Sequence, residues 1–220
     1  NNVAIGTKAL TLMDAGADAY NVAIGHNAGL NVSTGVRNTL IGGLAGDALT
    51  TGNYNVAVGY TALGAEDNDG RNVAVGYAAL AAQNAGTAGY NTAVGFEAGL
   101  SVTTGTHNTL IGGLAGDALN SGGGNVAIGT EALSAEDGHG RNIAIGVSAL
   151  KVQDAGTNAY NIAIGYEAGV AVTTGTLNTI IGGLAGDALT TGSRNTVLGY
   201  SALSTEDTGG KAVAIGWKAL

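Results

Sequence analysis

Carboxylates supply most of the candidate chemistry in this chain. Three acidic clusters recur at 70-residue intervals: Glu66-Asp67-Asn68-Asp69, Glu136-Asp137-Gly138-His139 and Glu206-Asp207-Thr208-Gly209. Carboxylates beside glycine can ligate Ca²⁺. The third and fourth positions vary, however, and neither EF-hand spacing nor a nonapeptide Ca²⁺ pattern is present. The clusters therefore read as solvated acidic turns. Asp47, Asp117 and Asp187 also recur every 70 residues. They are expected about 19 Å apart, four rungs of about 4.8 Å, too far to form an acid/base pair. Each reads as a corner cap accepting backbone N–H groups. His26, His107 and His139 fall at unrelated places in the repeat, and no Ser/His/Asp set recurs. No Gly-rich segment has phosphate-binding form. The chain reads as a non-enzyme, with no catalytic, cofactor-binding or metal-ligating residue and no cofactor assigned.

Two other residue classes repeat in a way that could bind something. Tyr60, Tyr77, Phe96, Tyr166, Tyr200 and Trp217 follow the same glycine of the repeat, and Tyr20, Tyr90 and Tyr160 precede its asparagine. Regularly spaced aromatics can stack on sugar rings or pack against a neighbouring chain, and packing is the reading favoured. Thr50-Thr51, Thr103-Thr104, Thr173-Thr174 and Thr190-Thr191, with Ser33-Thr34, form the other column. They occupy at most two adjacent coils in four, so a flat ice-binding array is broken. Threonine in an extended segment before glycine has a sufficient structural reason.

What must position these residues is a repeat. NTLIGGLAGDAL at Asn38–Leu49 recurs intact at Asn108–Leu119, and at Asn178–Leu189 with Ile180 in place of leucine. Within each block of 70 a shorter unit, N-[VIT]-[ALIV]-[IVL]-G-x-x-A, opens at Asn2, Asn21, Asn38 and Asn55, and so on to Asn195, with a thirteenth copy at Ala212. Spacings of 19, 17, 17 and 17 residues are too short for a helical hairpin and suit one coil of a β-solenoid. The expected fold is all-β, a parallel β-solenoid (β-roll) of about 13 coils of 17–19 residues. It spans 1–220 as one domain, in super-repeats 1–70, 71–140 and 141–210 and a partial 211–220. The Asn-Val-Ala-Ile stretch supplies the first strand and A-L-x-x or L-x-V-T a weaker second. The two recurrent glycines make the corners. Stacked asparagines are expected to bond one another up the stack.

Composition narrows the function classes. There are 40 Gly, no Pro, no Cys and one Met in 220 residues. Without a Gly-X-Y period this is not collagen, and at 45% apolar it is not simple disorder. The net charge is −8, and the eight basic residues look singly scattered, which argues against a nucleic-acid groove. It also argues against an anionic membrane surface. The absence of cysteine removes disulfides and thiolate metal sites. No run approaches a membrane-spanning length. No signal-peptide pattern is seen, and residue 1 falls inside a repeat, so a piece of a longer chain is expected.

Parity sets the expected facing. The residue before the first glycine, Ile5 through Ile215, is aliphatic in every unit and reads as the core column. The column between, Ala4, Ala23, Leu40, Ala57 and onward, is apolar too. A strand apolar on both faces should be covered on both. The expectation is a parallel homotrimer, with the alanine column facing its axis.

The A-I-G-x-x-A core resembles the head repeats of YadA-like trimeric autotransporter adhesins. The fuller N-T-A-x-G-x-x-A form, Asn91–Ala98, is similar to repeats in phage tail-fibre and bacterial surface-fibre proteins. The resemblance covers all 13 units. It implies a left-handed roll, three chains about one axis, on a cell or virion surface. Coils of 17–19 residues are longer than those of that head. Ile-Gly-x-x-Ala also matches hexapeptide β-helix enzymes, but Leu10 lies one position out of that register after Ile5. The expected function is a structural segment of an extracellular surface fibre or adhesin, self-associating as a homotrimer or filament. The alternative is a tail-fibre region that binds a glycan or receptor through exposed aromatics. No nucleic acid or membrane insertion is expected.

Overall fold

The computed structural model describes all residues except 17 and 69. Thirteen three-residue strands, β1 (Val3–Ile5) to β13 (Val213–Ile215), form one parallel sheet in sequence order. Each strand lies in register on the next, so that Ala4 sits on Ala23 and Ala23 on Leu40. A β-solenoid with one strand per coil is therefore the fold. No helix is present among the described residues, and none is long and apolar enough to cross a membrane.

The expected second strand is not formed. After the first glycine the chain runs through consecutive turns, in which non-glycine residues take positive φ at two fixed places. Thr61 and Leu63 (both φ 54°), and Ala78 (52°) and Leu80 (49°), are examples. That conformation curls the backbone and costs an L-residue on the order of 1 kcal/mol each. Rung-to-rung hydrogen bonds hold it, as in Leu63 N–H to Ala79 O at 3.0 Å and Gly46 N–H to Ala62 O at 3.0 Å.

The facing is the reverse of the parity reading. The alanine column is the interior: Ala23, Leu40, Ala57 and their counterparts as far as Ala214 are buried within the single chain, and only Ala4, on the first rung, is exposed. The Ile/Val column points outward and is only half-covered, as are the Val/Thr positions two residues earlier. The cause is the missing second strand. A 17-residue coil closed by turns encloses a narrow space, which alanine fills in most rungs and a larger side chain, Leu40, Leu110 or Ile180, where the opposite corner is glycine.

This packing also accounts for NTLIGGLAGDAL. Several coils pair a strand alanine with a leucine at the opposite corner, such as Ala57 with Leu63 and Ala127 with Leu133, all buried. The constant stretch inverts the pair. Leu40 replaces alanine, and the corner becomes Gly46, where a Cβ would lie 2.8 Å from both Leu40 Cδ2 and Leu49 Cδ1. The same exchange holds at Leu110 and Gly116.

The first glycine of the unit is required by close approach. Gly42 has φ 135°, and a Cβ there would lie 2.4 Å from the carbonyl oxygen of Gly59 in the next coil. Any side chain would push the rungs apart.

The asparagines do form a ladder, but through the backbone. Each Oδ1 accepts the N–H of the residue one coil on, from Asn2–Asn21 to Asn195–Ala212, at 2.8–3.1 Å. Several Nδ2 groups donate to the second corner: Asn38 to Gly52 O (2.8 Å) and Asn178 to Gly192 O (2.9 Å). These buried amides satisfy backbone groups that the short strands leave unpaired.

Candidate functional site

The acidic corners are not uniformly solvated. Glu66 and Glu136 are fully buried, in the inward column that also holds Leu49, Gln83 and Leu119. Asp137 is exposed. Asp69 lies outside the described residues. Glu136 accepts the His139 N–H at 3.2 Å and the Asn142 Nδ2 at 3.4 Å. Burial, aided by the negative charges of Asp154 and Asp137, pushes its carboxyl up to about 7 against the pull of the His139 N–H. Ligand atoms of Glu136, Asp137, His139 and Asp154 lie within 4.8 Å of one another. Hard oxygen donors and one imidazole could hold a divalent cation.

Asp47, Asp117 and Asp187 keep separate positions, one per super-repeat. The Asp47 carboxylate takes the backbone N–H groups of Asp47 and Ala48, so the cap is local, and partial burial nonetheless raises its pKa. One oxygen each of Asp117 and Asp187 has no hydrogen-bond partner. Burial first, then the charges of Glu97 and Glu131, raises the pKa of Asp117. The paired threonines spend their hydroxyls on the neighbouring coil: Thr50 Oγ1 donates to Asp67 O at 2.9 Å and Thr190 Oγ1 to Asp207 O at 2.7 Å.

Three of the aromatic residues that follow the first glycine, Tyr60, Tyr77 and Phe96, stack on one another along the rod. Tyr60 and Tyr77 lie 5.9 Å apart at 17°, Tyr77 and Phe96 5.3 Å apart at 10°. Their faces are mutually covered and their edges point to solvent. Stacking sandwiches Tyr77 and so withdraws its faces from a sugar, while Tyr166, Tyr200 and Trp217 remain exposed.

A second ladder was only partly legible in the sequence, through Tyr20, Tyr90 and Tyr160. The position before each asparagine runs Tyr20, Arg37, Tyr54, Arg71, Tyr90, His107, Gly124, Arg141, Tyr160, Leu177, Arg194 and Lys211. All four arginines of the chain fall in this one column, so the basic residues are not scattered singly. Arg71 lies over both Tyr54 and Tyr90 at 5.7 Å, and Arg37 lies 5.4 Å over Tyr54 and donates to its hydroxyl at 2.6 Å. Tyr90 stacks on His107 at 5.2 Å. Arg141 lies 5.5 Å over Tyr160 and donates to its hydroxyl. Every described side chain from Tyr54 to Tyr160 takes positive φ here, 51–67°, which turns the column outward at the corner. Aligning the thirteen units on asparagine would have revealed the column.

The ladder is interrupted once between Tyr20 and Tyr160, at Gly124, and a notch of about 460 Å³ opens there. It is lined by His107 and Thr106 on one side, Arg141 and Asn158 on the other, with Ser121, Gly123, Gly138 and Gly140 as floor and wall. The floor is held rigid: Gly124 N–H donates to Thr106 O, Gly140 N–H to Asn158 Oδ1, and Arg141 N–H to Gly123 O, at 3.0, 3.0 and 3.2 Å. This arrangement has the elements of a small polar binding site. Comparison with family models, with curated proteins and with solved structures returned no match.

Proposed function

We propose that the chain is a shaft segment of an exported, homo-oligomeric surface fibre, a stiff spacer with no enzymatic role. The observation that carries this is the outward face of the sheet. Its two columns, Val3/Ile5 through Val213/Ile215, contain only Val, Ile, Leu and Thr across all thirteen strands. At about 4.8 Å per rung the strip is roughly 60 Å long and about 600 Å² in area. That is close to the roughly 800 Å² per partner of a standard interface and at the upper end of what a monomer exposes. The alanine column no longer supports an axis, because the single chain buries it. The argument for a parallel homotrimer passes to the Val/Ile face. Chains meeting there in register would bury their strips along the whole rod, giving stiffness and protease resistance. Few charges and no cysteine fit a fibre exposed outside the cell or on a virion.

Mass measurement in solution tests this reading. A trimer that Ile128→Asp dissociates supports it, and a monomer stable at high concentration refutes it. A second reading, that the shaft also recognises a surface glycan, is favoured by the Arg/Tyr column rather than by the self-stacked aromatics.

A further inference from the structure

The geometry points to a carboxylate-bearing sugar, of the uronic acid type, as ligand of the Gly124 notch. This deepens the second reading above, and rests on it. The notch is one missing rung in a ladder of arginines and rings that runs from Tyr20 to Tyr160. His107 closes one end with its ring, whose other face is taken by Tyr90. Arg141 closes the other end, anchored from behind on Tyr160. The ends are two rungs apart, about 9.6 Å. A flat ring in contact on both sides would fill only about 7 Å, so the space suits a puckered ring carrying substituents.

The lining matches that chemistry group by group. The Arg141 guanidinium keeps N–H donors free for a carboxylate, which it can hold through two parallel bonds. Arg141 and His107 are the ionisable residues of the lining, which contains no carboxylate. Thr106 and Ser121 present hydroxyls, and the Asn158 amide adds a donor, so a polyol meets partners around its rim. The imidazole of His107, held by Thr106 Oγ1 at 3.0 Å, offers an apolar face to the sugar C–H groups. An inorganic anion would reach Arg141 without touching His107.

Gly124 also provides the test. Its φ is 70°, a Cβ there would meet nothing nearer than Arg141 Cγ at 3.8 Å, and tyrosine already occupies this column at φ 51–62°. Gly124→Tyr should therefore fold and restore the missing rung, filling the notch. Saturation-transfer NMR on the full chain would use sodium glucuronate, methyl glucoside and inorganic phosphate as probes. Expected is glucuronate binding with Kd on the order of 1 mM, weakened at least about 10-fold in Gly124→Tyr and in Arg141→Gln. Methyl glucoside or phosphate binding as tightly as glucuronate overturns the assignment. So does an absence of glucuronate binding to the unmodified chain. Glucuronate binding that survives Gly124→Tyr overturns the notch but leaves a sugar-reading shaft standing elsewhere on the rod. Loss of the oligomer would not touch either outcome, since the probes report on the notch itself.

Discussion

Glu136→Gln should make the protein more stable at alkaline pH and leave it unchanged in acid. Glu136 is 0% exposed and its carboxyl is raised from 4.5 to about 7, by burial first and then by Asp154 and Asp137. A folded-state pKa above the unfolded value means that the native chain holds the proton more tightly. The stability is thus fully present below about pH 4.5 and is lost as pH rises through 7. The whole shift corresponds to about 3 kcal/mol at 1.36 kcal/mol per unit, and solvent just beyond the corner reduces this to roughly 2 kcal/mol. Glutamine is a fair probe because Gln83 and Gln153 already occupy the same inward column, each wholly buried. Their Oε1 atoms accept from the ladder amides of Asn91 and Asn161. Urea unfolding from pH 4.5 to 8.5 would compare the wild type with Glu136→Gln and with Asp137→Asn, an exposed neighbour. The variant should gain about 2 kcal/mol over the wild type at pH 8, converging with it at pH 4.5. Asp137→Asn should shift less than about 1 kcal/mol. A difference between Glu136→Gln and the wild type that stays constant with pH would refute the buried, neutral carboxyl.

Two further substitutions test the facing and the corners. Ala127→Asp puts an unpaired carboxylate into the fully buried column and should cost several kcal/mol in thermal or urea melts. Ile128→Asp, one residue on and facing out, should cost the isolated chain less than about 1 kcal/mol. Gly129→Ala should also be severe: its φ is 132° and a Cβ would sit 2.5 Å from the Gly146 carbonyl. About 3 kcal/mol or more is expected, read as a lowered melting temperature.

The repeat made the coil number, the position of the one strand that forms and the first glycine corner readable from residues alone, but not the turns that stand where a second strand was expected. Facing was not readable, because residues of both parities are apolar. Alternation cannot rank Ala4 against Ile5 when neither column is polar. The cross-section of the coil decides, and that depends on turns at Thr61–Leu63 and their equivalents, whose positive φ no residue type there announces. Leu in a left-handed conformation is a tertiary effect, imposed by the rung above. Glu136 was misplaced for a related reason. Its neighbours Asp137 and Gly138 look like a solvated turn, and only its shared column with Leu119 and Gln153 shows that it points inward. The arginines of the Arg/Tyr column were missed, although Tyr20, Tyr90 and Tyr160 were noticed, because the count of basic residues was read along the chain instead of across the coils. The oppositely sized pair Leu40 and Gly46 was visible in the motif, but it gains meaning only once the two are known to touch.

The account stands most directly on what covers the Val/Ile face. Sedimentation equilibrium of the purified 220-residue chain, beside Ile128→Asp, measures it in one experiment. Three copies of the 21.3 kDa chain in the wild type, and a folded monomer in Ile128→Asp, are the predicted results. A wild-type monomer at high concentration, or a trimer indifferent to Ile128→Asp, would contradict the account.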